Sequence, residues 1–170
     1  NVACSTATFA IINAYNAIQT GNANTVLVVN PEFTTPQLDY TNRDSHFIFG
    51  DVATALIIEK QETATSANQF KIVNTSQITQ FSNNIRCNHS YVDHCYDELA
   101  EDNSFFFQEG RKVFKELLPL ATNTISSHIA DNNWQVTDVK RMWLHQANIN
   151  MNLFAAKKLL GREPEFLDAP

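Results

Sequence analysis

The sequence predicts an α/β fold, helices layered on sheet, on three observations. Apolar residues recur at spacings of three and four in three separate stretches, the period of a helix with one buried face. Between them lie short runs of β-branched and apolar residues, the look of strands covered on both faces. The two kinds of stretch alternate along the chain, as they do where helices cover a sheet. With 170 residues, 44 % of them hydrophobic, the chain has enough apolar surface for a real core.

The first element is a helix over residues 3–20. Ala7, Ala10, Ile11, Ala14, Ala17 and Ile18 mark its inner face, and Gly21 follows as a stop. Thr25-Val26-Leu27-Val28-Val29 then reads as a buried strand ended by Asn30-Pro31, and Phe47 to Asp51 leads into a second buried strand over 52–58. A weaker third strand is expected over 70–77, paired antiparallel with the second. Residues 79–103 are polar and without period, and read as an excursion or loop. From Phe105 the pattern is helical, with Val113, Phe114, Leu117, Leu118, Ala121, Ile125 and Ile129 on one face. Pro119 is expected to kink or break that helix. A short strand over 141–144 ends at His145. The last helix, 150–160, turns Leu153, Ala156, Leu159 and Leu160 inward, with Gly161 at its end. No internal repeat or linker divides the chain, which reads as one partial domain over 1–170.

Bulk properties exclude several classes. A formal net charge of −6 argues against general nucleic-acid binding. No apolar run approaches the roughly 20 residues that span a bilayer, and no signal peptide is visible. Three cysteines, Cys4, Cys87 and Cys95, are too few and too unevenly placed for a disulfide scaffold, so a reduced, cytoplasmic setting is expected. Cys87, His89, His94 and Cys95 resemble a metal motif in composition. Adjacent His94 and Cys95 fit zinc geometry poorly, and no metal is expected.

The chemistry points to two residues. Cys4 lies where the first helix begins, with backbone N–H groups and the positive dipole end available to stabilise a thiolate. His145 closes an apolar segment far downstream, in Leu144-His145-Gln146-Ala147-Asn148. Together they suggest nucleophilic acyl transfer through cysteine. Taken alone, each has an ordinary reading: a packed cysteine and a hydrogen-bonded strand-end histidine.

Their flanks carry more. Asn1-Val2-Ala3-Cys4-Ser5, the Val-rich strand, Phe49-Gly50-Asp51, Gln108-Glu109-Gly110-Arg111-Lys112-Val113-Phe114 and Leu144-His145-Gln146-Ala147-Asn148 resemble β-ketoacyl-acyl-carrier-protein synthase III in both order and spacing. The resemblance implies the thiolase fold, a layered αβαβα sandwich incomplete in this chain, and a homodimer. It implies a Cys-His-Asn triad that condenses an acyl group from acyl-CoA with malonyl-acyl carrier protein, without metal or redox cofactor. Cys4 would be the nucleophile and His145 one of two residues supporting decarboxylation. Gly110, Phe114, Ala147 and Asn148 match positions lining the pantetheine arm or its tunnel mouth. Phe49-Gly50-Asp51 would hold structure, Gly50 by allowing close backbone approach and Asp51 by anchoring a turn.

The departures are also informative. The triad's Asn segment and the elements ahead of the family's cysteine find no counterpart in 1–170, so the expectation is a fragment of a longer polypeptide, inactive by itself. Ser5-Thr6 stands where the family often has Ala-Gly, and Asp51-Val52-Ala53-Thr54 replaces a more Gly-rich version. Those bulkier residues predict a reshaped acyl pocket with a primer length unlike the family's short ones. Asn150 stands where a basic carrier-protein contact is common. Alternative readings are another thiolase-superfamily condensing enzyme, of polyketide, quinolone or hydroxymethylglutaryl type, or a truncated non-catalytic partner subunit.

Overall fold

The computed structural model describes residues 3–43, 46–87 and 106–169. The chain divides into two compact units. One comprises Asn1–Pro36 and Phe49–Thr75, the other Gln37–Ile48 and Ser76–Pro170.

In the first unit a 3-10 turn, Ala3–Ser5, runs directly into α1, Thr6–Gln19. Ile12, Ala14 and Ile18 are buried. Gly21 takes φ 77°, the left-handed conformation expected of a helix stop. β1, Thr25–Glu32, pairs antiparallel with β2, Val52–Glu59, from Thr25 opposite Glu59 to Glu32 opposite Val52. Residues directly opposite share a face. Val26 and Val28 of β1 therefore stand with Ile58 and Leu56 of β2 on the better covered side. Leu27, at 62 % exposed, stands with Ile57 and Val29 on the other.

This corrects the expectation of strands covered on both faces. The continuous apolar run has one face covered and one open, and Val52 to Ala55 are exposed. The third strand, expected over 70–77, is not formed: Phe70 is 96 % exposed and the segment joins no ladder. The hydrogen bonds just before it are local, with Asn68 and Gln69 bonding back to Ser66 and Ala64. A strand exists only where a partner accepts its backbone, and alternation in the sequence does not supply one.

In the second unit β3, Ile85–Cys87, pairs antiparallel with β4, Phe106–Gln108. β3 is therefore a strand within the stretch read as a loop, and β4 occupies the place where a helix was expected from Phe105. The helix, α2, begins at Gly110 and continues to Asp131. Pro119 does not break it. Lys115, whose carbonyl loses its helical donor to the proline, is exposed together with Pro119, so water can serve that carbonyl. The stretch 141–144 is not a strand either; its Met142 N–H donates to the carbonyl of Asp168 at 2.8 Å.

α3, Ile149–Leu160, is capped at both ends. The Asn148 side chain accepts the Met151 N–H, and Gly161 closes the helix at φ 67°. Ala156, fully buried, packs with Met142 and Ala169 amid Val139, Leu144, Leu159 and Leu160. Leu153, expected inward, is exposed, and Asn152 and Ala155 are buried instead. The segment after α3 is held by Arg162, whose guanidinium makes two bonds to Asp168, at 2.7 and 3.0 Å.

A Cβ added at Gly161 would meet no atom of the described residues within 4 Å, so among them conformation rather than space restricts the position. Gly161→Ala is expected to cost roughly 1–2 kcal/mol through its left-handed backbone. Denaturant melts of the two proteins would measure the loss; equal midpoints would refute it.

Candidate active site

Cys4 is a free, exposed cysteine in the turn just before α1. The turn is held in an unusual shape. Ala3 has φ 50°, a left-handed value that costs a non-glycine residue of order 1 kcal/mol or more, and its carbonyl accepts the Thr6 hydroxyl at 2.7 Å. Ser5, preceding α1, makes no side-chain cap bond. Cys4 thus lies beside the positive dipole end of α1.

In the same unit Asp51 ties the end of β1 to the start of β2. Its Oδ1 accepts the N–H groups of Thr34 and Thr35 at 2.8 and 2.9 Å, and its Oδ2 accepts the Thr35 hydroxyl at 2.7 Å. Thr34 Oγ1 donates to the Gly50 carbonyl at 3.1 Å. Asp51 therefore anchors the turn, as expected. Among the described residues Gly50 does not serve a close approach, since a Cβ there would meet none of their atoms within 4 Å. The Thr35 hydroxyl first, then the two backbone N–H groups, hold the Asp51 carboxyl below its ordinary value.

The second unit contains the other sequence-predicted residues. His145 is exposed in the loop entering α3, and the backbone around it is fixed at several points. Leu144 packs into the core of this unit. Gln146 Nε2 donates to the Leu144 carbonyl at 3.1 Å, and Asn148 Oδ1 accepts the Met151 N–H at 3.1 Å. Asn152 Nδ2 donates to the His145 carbonyl at 3.0 Å. Ala147 and Asn148 are thereby brought into one loop with His145, with the Asn148 side chain serving as helix cap. Gly110 is the first residue of α2. Phe114, one turn on, meets Phe154 of α3 edge to face, ring centres 5.7 Å apart.

Asn152 escaped the sequence reading. Its signal was the i, i+4 spacing from Asn148 on a helix face otherwise lined by Ala155 and Ala156. Among the described residues no group of three or more His, Cys, Asp or Glu side chains could hold a metal ion. Of the metal-like motif only Cys87 falls within the described residues; His89, His94 and Cys95 lie outside them. Among the described residues no helix is long and apolar enough to cross a membrane.

Comparison with known proteins adds independent observations. The family profile for 3-oxoacyl-[acyl-carrier-protein] synthase III matches residues 1–79. A β-ketodecanoyl-[acyl-carrier-protein] synthase of Pseudomonas aeruginosa is 52 % identical over 171 residues, covering 100 % of this chain and 49 % of the relative. A β-ketoacyl-[acyl-carrier-protein] synthase III of Clostridium acetobutylicum is 30 % identical over 170 residues, covering 94 % of this chain and 48 % of the relative. The chain spans about half the length of the curated relatives it matches. A 3-oxoacyl-(acyl-carrier protein) synthase of Burkholderia xenovorans superimposes with a TM-score of 0.73 at 22 % identity, over 98 % of this chain and 47 % of that one. Such likeness shows the fold, which is mixed α/β and thiolase-like.

The Asp51 tie implies a pH dependence. A carboxyl lowered by native hydrogen bonds stabilises the fold above its unfolded value, near 3.8, and ceases to do so as pH falls through the lower native value. Asp51→Asn is therefore expected to melt below wild type at neutral pH, and the gap to close at acid pH. Thermal melts of both proteins across that range would show it, and a gap independent of pH would refute it.

Proposed function

We propose that the chain belongs to the β-ketoacyl-[acyl-carrier-protein] synthase III family and that the protein forms a carbon–carbon bond by decarboxylative condensation in fatty-acid synthesis. Its substrates are an acyl-CoA and malonyl-acyl carrier protein, and it works as a cytoplasmic homodimer. The observation carrying this reading is 52 % identity, over the whole chain, to a β-ketodecanoyl-[acyl-carrier-protein] synthase.

In this reading the Cys4 thiolate attacks the thioester carbonyl of acyl-CoA. The oxyanion is met by backbone N–H groups, among them that of Cys4, and losing one such donor typically costs about 3 kcal/mol of transition-state stabilisation. The intermediate collapses, CoA leaves as its thiolate and takes up a proton, and an acyl-cysteine remains. Malonyl-acyl carrier protein then enters. As its carboxylate departs as carbon dioxide, the electron pair of the broken carbon–carbon bond passes into the thioester as an enolate. His145 donates a hydrogen bond from Nε2 to that enolate oxygen, together with a second donor. The enolate carbon attacks the acyl-cysteine carbonyl and expels the Cys4 thiolate, giving β-ketoacyl-acyl carrier protein. Each step balances without metal or redox cofactor. Gly110, Phe114, Ala147 and Asn148 line the approach of the pantetheine arm. An apolar approach suits this chemistry because it keeps water from the thioester.

The relative's name also bears on chain length. Condensation with malonyl adds two carbons, so a β-ketodecanoyl product requires an eight-carbon primer. A medium-length acyl-CoA is accordingly the proposed first substrate here.

Intact-protein mass spectrometry after exposure to acetyl- through decanoyl-CoA tests the reading. An octanoyl increment that Cys4→Ala abolishes is expected. Labelling of Cys4→Ala at the wild-type rate would overturn the nucleophile, and acetyl preferred over octanoyl would overturn the primer. His145→Ala should still acylate, yet condense roughly a hundredfold or more slowly. Unchanged condensation would remove the histidine from the mechanism.

A further inference from the structure

Asn152 is 7 % exposed, in the first turn and a half of α3, beside buried Ala155 and Ala156. An amide in such a place costs free energy unless it is hydrogen-bonded, and an apolar side chain of similar size would carry no such cost. Its Nδ2 is bonded, and to one particular group, the carbonyl of His145 at 3.0 Å. A carbonyl only accepts, so the NH2 end of the amide is the end that faces it.

That carbonyl belongs to the peptide linking His145 to Gln146. Holding it fixes the torsion on the carbonyl side of the His145 Cα, and with it the direction in which the imidazole leaves the backbone. On the other side of His145, Gln146 Nε2 bonds the Leu144 carbonyl, while Leu144 is held by packing and Asn148 holds the helix start. Side chains on a helix lean toward its N-terminus, which is why a residue one turn past the cap reaches back to the loop.

We propose that Asn152 is a positioning residue for His145, a buried amide on α3 that sets the histidine's backbone so that its ring meets the reacting thioester. This rests on the condensing role given to His145 above. Aspartate matches the amide in shape but, ionised, has no hydrogen to donate, and it sets an oxygen against the carbonyl. The displacement it causes should act on the step His145 serves and on no other.

The test uses the protein as naturally encoded and follows two reactions: transfer of octanoyl from octanoyl-CoA to Cys4, and condensation with malonyl-acyl carrier protein. For Asn152→Asp the expected result is a loss in condensation kcat of roughly ten- to a hundredfold, as for a misplaced catalytic group. Acylation of Cys4 should stay within about twofold, and the KM for the carrier protein should move less than kcat. In a His145→Ala background, Asn152→Asp should add nothing, because its effect passes through the histidine. Parallel loss of acylation and condensation, additive effects in the double variant, or unchanged condensation would each overturn the proposal. Asn152→Leu, which removes the donor without adding charge, decides the same question should the aspartate variant fail to fold. Wild-type protein that acylates and condenses places any such failure on Asn152; wild-type protein that does neither places it on the condensing role itself.

Discussion

A helix leaves its first four N–H groups without partners inside itself, and the way each helix handles that debt shapes its surroundings. Neither α1 nor α2 has a side-chain cap from its N-cap residue, whereas α3 is closed by Asn148. Cys4 adjoins the first of these starts and His145 precedes the third. On the reading advanced here the difference is functional. A helix start beside a nucleophile is most useful when its field is left for an incoming oxyanion. One beside a hydrogen-bond donor is most useful when it is filled and stiff.

Asp51 plays a comparable part for backbone between strands. β1 and β2 are joined by a connection far longer than a tight hairpin, which by itself would fix their register poorly. One carboxylate takes two N–H groups and a hydroxyl from Thr34 and Thr35 and places the exit of β1 against the entry of β2. The same sheet also carries a cost, since the Asn30 amide nitrogen is buried without a hydrogen-bond partner among the described residues. Leu27, Val29 and Ile57 meanwhile leave an apolar face open.

The sequence showed its helices plainly because the information is local. Ala14 and Ile18, or Ala156 and Leu159, announce a face by their spacing, and Gly21 and Gly161 announce an end by taking the left-handed conformation. Strands were less legible. Residues 70–77 and 141–144 have strand-like composition but no ladder, and Phe106–Gln108 forms one with a segment about twenty residues earlier. Ladder partners are a property of the folded chain. Cys4 and His145 could be nominated from sequence because both stand in extended motifs. Asn152 was not, because a polar residue on a helix is assigned outward by pattern, and only coordinates reveal what an inward amide holds.

The Arg162–Asp168 pair reaches further than its exposed position suggests. Asp168 is held through its carboxylate by Arg162 and the Glu165 N–H, and through its carbonyl by the N–H of Met142. Met142 and Ala169, on either side of this junction, pack together against Ala156. The backbone from 142 to 168 is therefore a loop closed without a covalent bond, with His145 near one end and the arginine near the other. Such a segment opens as one cooperative unit, because releasing the clasp frees the residues that pin α3 and the histidine loop together. The exchange of the Met142 amide proton consequently reports how often the region around His145 comes undone.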